Sequence, residues 1–170
     1  MAFVGKPNIK PRLGVATFGR YHAARVAQAL PQTTSDILFR VRGGKIRIQL
    51  LVGTVTTAIA ATDPIIKITA KALDNAGAAI GTAIDVGTTV DISSLEVGGM
   101  VVCKGDATAL LKALAGSANA GTGAGAWIMP QGEIYLTTGA NKTGAIKWDL
   151  VYEPLEEGAF VSPNGVQVAI

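Results

Sequence analysis

The chain carries a single histidine, His22, and a single cysteine, Cys103. A zinc site of ordinary composition needs several converging His, Cys or carboxylate ligands, so one chain cannot build it from these. Cys103 ends the apolar run Met100-Val101-Val102-Cys103 and reads as a small buried hydrophobe. A reactive thiolate needs a base or positive charge beside it, and Lys104 points to the opposite face of an extended chain. His22 reads as a surface or interface residue. A Ser-His-acid triad would have to recruit it, and Ser35, Ser93, Ser94, Ser117 and Ser162 lie in polar turns without a nucleophile elbow. The glycine run "GTGAGA" (121–126) lacks the Lys-Ser/Thr that closes a phosphate loop, so it reads as a flexible loop. Glu156 and Glu157 are adjacent, which turns them to opposite faces of an extended chain and rules out a paired acid and base. Asp85 and Asp91 fall on separate predicted strands, and no loop has calcium-ligand spacing. Asn141-Lys142-Thr143 reads as turn chemistry. No catalytic, cofactor-binding or metal-ligating residue is assigned, and the expected function is not enzymatic.

The elements that would hold any site are strands. Small and β-branched residues dominate, Gly numbers 21, and only 16% of residues are charged. That composition predicts an all-β fold, a β-sandwich or jelly-roll-like body with tight turns. In "SDILFRVRGGKIRIQLLVGTV" two alternating runs flank Gly43-Gly44, which predicts a two-residue hairpin. Phe39, Ile46, Ile48 and Leu50 are assigned to the core. Beyond Leu51 both faces are apolar or Thr, so the strand is expected to run beneath something on its outer side. Further strands are expected at 64–73, across "AGAAIGTAIDV", at 88–93, at 98–105, and in "WIMPQ" and "GEIYLTT". Near the C-terminus Ile146, Trp148, Leu150 and Tyr152 alternate with polar residues and complete the predicted core. One short helix is expected at 106–115, capped by Asp106 and ended by Gly116.

The chain divides into three regions: a basic N-terminal arm (1–33), the body (34–160) and a C-terminal tail (161–170). The arm is interrupted by Pro7, Pro11 and Pro31, and "YHAARVAQAL" within it can be read as a helical turn or two, Val26 and Leu30 standing at i, i+4. An edge strand with loops packed on the body is the equal alternative. The longest mostly apolar run (48–61) is too short and too β-branched for a spanning helix, and no signal peptide is recognised, so no membrane partner is expected.

Charge is distributed unevenly. Residues 1–47 hold nine Lys and Arg against one acid, a balance of +8, and the remainder balances at −5 within the net +3. This polarity points to a partner. Lys6, Lys10, Arg12, Arg20 and Arg25 are the candidate partner-binding residues. The prolines favour an extended peptide laid on protein over nucleic acid.

The segments "FRVRGGKIRIQLLVGTVTTAI" (39–59) and "GEIYLTTGANKTGAIKWDLVYEPLEEGA" (132–159) resemble a family of small β-rich proteins of tailed bacteriophages, taken to be capsid decoration, or cement, proteins. The resemblance implies a structural virion protein on the capsid exterior, made in the bacterial cytoplasm. It implies the major capsid protein as partner, a homo-oligomer with a trimer favoured, and no cofactor. A head-fibre or glycan-binding module and a DNA-binding accessory protein are the alternatives.

Overall fold

Alternating side chains and β-branched residues commit this chain to strands that bury one face each. A computed structural model describes residues 19–32, 34–59, 65–86, 89–93, 95–103, 111–114, 126–139 and 143–164. Among them run β1 (Tyr21–Ala29), β2 (Ser35–Arg42), β3 (Ile46–Thr57), β4 (Ile65–Ala72), β5 (Ile84–Asp85), β6 (Val90–Asp91), β7 (Met100–Cys103), β8 (Leu111–Leu114), β9 (Trp127–Met129), β10 (Gly132–Thr138), β11 (Ala145–Pro154) and β12 (Phe160–Pro163). They form two antiparallel sheets. The first has the order β1-β11-β3-β7-β8 with β9 also on β3; the second has β12-β2-β10-β4-β5 with β6 also on β4. The inner faces meet in one core, in which Phe39, Ile46, Ile48, Leu51, Ile68, Ile134, Trp148 and Leu150 are fully buried. The fold is all-β and sandwich-like, with no helix among the described residues.

Successive long strands change sheets. β1 lies in the first, β2 in the second, β3 in the first and β4 in the second, and β9 to β12 repeat the alternation. Late strands therefore insert between early ones: β11 between β1 and β3, β10 between β2 and β4.

This order overturns the expected hairpin. β2 and β3 belong to different sheets, and Gly43-Gly44 carries the chain across the sandwich. Both glycines have positive φ, 74° and 140°, so the pair does supply turn geometry, but the strands that it joins do not pair. A Cβ on Gly43 would stand 2.2 Å from the carbonyl oxygen of Gly158, in the corresponding crossing from β11 to β12. The two crossings are tied together. Leu155 N–H donates to Lys45 O at 2.9 Å, and the Lys45 backbone N–H donates to the Glu156 carboxylate at 3.0 Å.

Bulges shift the period-two phase. β3 has one residue more than β11 around Gln49, so the inward set changes from Ile46 and Ile48 to Leu51, Gly53 and Val55. Leu50, expected in the core, is half-buried and its neighbour Leu51 takes the inner position. β2 has its extra residue at Leu38, which allows both Leu38 and Phe39 to be buried. Another bulge follows Arg25 in β1.

"YHAARVAQAL" is thus not helical. Residues 21–29 form an edge strand on β11, as in the alternative to an extended arm. Val26 and Leu30 do not share a face, since Val26 is exposed and Leu30 is buried. Residues 111–114 are extended and pair with β7, which corrects the predicted helix over those four positions; 106–110 and 115 lie outside the described residues.

Candidate interaction surface

Of the residues assigned to partner binding, Lys6, Lys10 and Arg12 lie outside the described residues. Arg20 is exposed just before β1. Arg25 is 3% exposed and turned inward, which removes it from the candidate docking residues. It sits opposite Trp148 in the register of β1 with β11. Its guanidinium pairs with Asp36 on β2, donates to Gln28, and donates through Nε to Asn164 O at 2.9 Å. Arg25 therefore closes the side of the sandwich where β1 faces β2 and β12. Tyr152 helps: its hydroxyl accepts the Val161 N–H at 3.2 Å, and Tyr21 stacks on its ring with centroids 5.7 Å apart.

Of the predicted core, Phe39, Ile46, Ile48, Ile146, Trp148, Leu150 and Tyr152 are buried as expected. Trp148 lies across Gly53, its register partner on β3. His22 is exposed and hydrogen-bonds Asp149 at 2.8 Å across β1 and β11. Cys103 is buried, which pushes its thiol up to about 12, a poor state for a nucleophile. Among the described residues no three His, Cys, Asp or Glu side chains converge as metal ligands.

The late part of the chain also engages three of the six basic residues in 19–47. Arg40 on β2 pairs with Glu133 on β10 at 3.0 Å, Arg47 on β3 with Glu153 on β11 at 3.8 Å, and Lys45 with Glu156 at 3.0 Å. Burial opposes the charge on Glu133, but hydrogen bonds from Tyr135 and Arg40 outweigh it and hold the carboxyl below its usual range. Of the basic residues in 19–47, Arg20 and Arg42 make no ion pair with a described residue.

Arg42 stands at the end of β2, paired in register with Phe160 at the start of β12. Beside it opens a cleft of about 300 Å³, walled by Arg40, Arg42, Gln131, the turn Asn75–Gly77 and Glu133, the last already paired with Arg40. Gln131 braces it, accepting from the Gly43 N–H at 3.3 Å and donating to Asp74 O at 2.9 Å. Gly132 also lines it, and a Cβ there would meet Lys71 O at 2.1 Å. Next to the cleft, residues 155–160 project as a turn with Leu155, Glu157 and Phe160 exposed. Among the described residues, this end of the molecule combines an unpaired cation, an unpaired acid and two exposed apolar side chains.

Comparison with protein-family models, with curated proteins and with solved structures finds no match. The surface must be read from its own geometry. Nothing in the sequence marks Arg42, which is one of nine N-terminal cations there. Among the described residues the ion pairs of Arg25, Arg40, Lys45 and Arg47 set it apart, together with Arg20.

Proposed function

We propose that the protein is a structural virion component that binds the outer surface of a bacteriophage capsid and reinforces it, as a decoration or cement protein. One observation carries the reading. The two segments that resemble that family, separated by more than 70 residues, come together in space. β2 and β3 from the first lie beside β10 and β11 from the second, at the centre of both sheets. The likeness thus spans one packed unit instead of two unrelated stretches.

The strand order supports a jelly roll as the finer description. β1-β11-β3 continues to β7 and β9 in one sheet, β2-β10-β4 continues to β5 in the other, and consecutive long strands lie on opposite sheets. A body closed by Arg25 and Tyr152 along one side is a stiff element, as a reinforcing protein requires. The foothold on the major capsid protein in this reading is residues 1–20, with Lys6, Lys10, Arg12 and Arg20. The arm is shorter than 1–33 because β1 belongs to the sheet. Many copies on one lattice make weak single contacts sufficient.

The test is co-sedimentation with expanded capsids. The full chain is expected to pellet with them, and a chain lacking residues 2–18, which keeps β1, is expected to lose most of that binding. Undiminished binding by the truncated chain would overturn the arm as foothold. Failure of the full chain to bind would overturn the decoration reading itself.

A further inference from the structure

The end of the sandwich formed by the two crossings has the features of a self-complementary contact. Its projecting turn is pinned before any partner arrives. Ala159 N–H donates to Glu156 O at 3.2 Å, Leu155 N–H to Lys45 O at 2.9 Å, and Gly158 adopts φ 82°. Leu155 and Phe160 are each 48% exposed on it, and Glu157 makes no ion pair with a described residue. Immediately beside the turn lies the cleft edged by Arg42, whose charge likewise has no partner among the described residues. Neighbouring cations that could have been free are engaged, Lys45 with Glu156 and Arg40 with Glu133. A projection bearing a free acid and a hollow bearing a free base, side by side on one face, can exchange about a two-fold axis.

We propose that two copies of this chain associate through this end. The Leu155–Phe160 turn of one copy seats against the cleft of the other, Glu157 meets Arg42 across the contact, and the two-fold repeats the pair. Leu155 and Phe160 form the apolar centre, and the charges fix the register. The edge of β1 that pairs with no described strand is a poorer contact. It is broken by a bulge and carries the inward charge of Arg25, two features that oppose pairing of strand edges between molecules. These residues alone carry the contact, which makes a dimer in place of the trimer that the resemblance implies.

Light scattering on the full chain, across protein concentration and salt, tests it. The expected result is a dimer that dissociates on dilution and more readily at high salt, since exposed charges are screened. Arg42→Glu and Glu157→Arg should each weaken the dimer by about tenfold or more. The combination of both should restore it to within about threefold, because the swapped charges again oppose each other. Phe160→Ser, at a position already half open to water, should weaken it independently of charge. Circular dichroism checks that every variant stays folded. A monomer at low salt, a trimer, single reversals without effect, or a double swap that stays dissociated would each overturn the proposal.

Discussion

Gly53→Ala should destabilise this protein even though alanine is the better strand residue. Gly53 lies inside β3, opposite Trp148 on β11 and Val101 on β7. Two effects of opposite sign compete. Relieving the entropy of glycine in a strand favours alanine by roughly 0.5–1 kcal/mol. Against this, the new Cβ would stand 2.9 Å from both Cζ3 and Cη2 of Trp148 and 3.0 Å from Cγ2 of Ile146. Carbon atoms prefer about 3.5–4.0 Å, and overpacking a filled core costs about 1–3 kcal/mol. Trp148 is fully buried, so it has no solvent-side space to swing into. The clash wins, and a net loss of about 1–2 kcal/mol is expected. Trp148→Phe removes the ring edge that the Cβ would strike. Alone it should cost about 1–3 kcal/mol through the lost contacts. In the double variant, alanine at 53 should cost at least about 1 kcal/mol less than in the parent, since contacting residues couple by that order. Urea unfolding followed by far-UV circular dichroism, with unchanged m, measures all four corners of the cycle. An additive cycle, or a Gly53→Ala variant as stable as the parent, would refute the packing argument.

Other contacts set four further outcomes. Tyr152→Phe removes the acceptor of a buried Val161 N–H and should cost about 1–3 kcal/mol in denaturant unfolding, with a neutral result showing that N–H to be solvated. Asp36→Ala should destabilise more than Arg25→Met, by about 1 kcal/mol or more, in the same assay. The first leaves a guanidinium that is 3% exposed without its counter-charge, and the second leaves a carboxylate 36% exposed that can turn to water. Thermal unfolding against pH should show an alkaline limb. Burial pushes Cys103 from 9.0 to about 12, and burial with the hydrogen bond to Glu133 pushes Tyr135 from 10.0 to about 12. Both groups stay protonated in the fold and ionise first in the unfolded chain, so their contribution is complete below pH 9 and lost as pH rises to about 12. A Cys103→Ala, Tyr135→Phe double variant should flatten that limb, and an unchanged slope would refute the assignment. At the acid end Glu133 acts in the opposite sense. Its lowered carboxyl stabilises fully above its ordinary 4.5 and progressively less as pH falls below, a loss that Glu133→Gln should remove.

The strands were legible because their chemistry is local. Ile146, Trp148, Leu150 and Tyr152 alternate over an unbroken run, and all four are buried. The connections between strands were less legible. A positive-φ glycine pair serves a hairpin and a crossing between sheets equally well, and the deciding contacts at Gly43 and Lys45 come from Gly158 and Glu156, more than 110 residues away. Bulges are hidden for a similar reason. Nothing near Gln49 announces an extra residue; it is defined only against β11, and from there the inward phase passes to Leu51 at the expense of Leu50. Arg25 shows the limit most plainly. Among alanines and beside other cations it has the look of a docking charge, and only the register of β1 with β11 turns it inward beneath β12, where Asp36 and Asn164 meet it.

Part of the charge asymmetry is met inside the fold. A block of cations followed by a block of acids suggests a tail reaching for an acidic partner. In a fold whose late strands insert between early ones, three of those cations, Arg40, Lys45 and Arg47, meet acids of the same chain. Arg40 meets Glu133 because β10 lies beside β2, and Arg47 meets Glu153 because β11 lies beside β3. These pairs are partly exposed, and such pairs contribute only about 0–1 kcal/mol each, so their larger effect is on the field: they offset charge that would have steered a partner to β2 and β3. Attraction at the body is left to whatever escapes cancellation. On the described residues before position 48 that is Arg20, just before β1, and Arg42, at the cleft. A partner drawn to the first must engage the chain N-terminal to β1, and a partner drawn to the second must bring a carboxylate to the end of β2. Measured separately, the salt dependence of capsid binding should follow deletion of residues 2–18, and that of self-association should follow Arg42 alone.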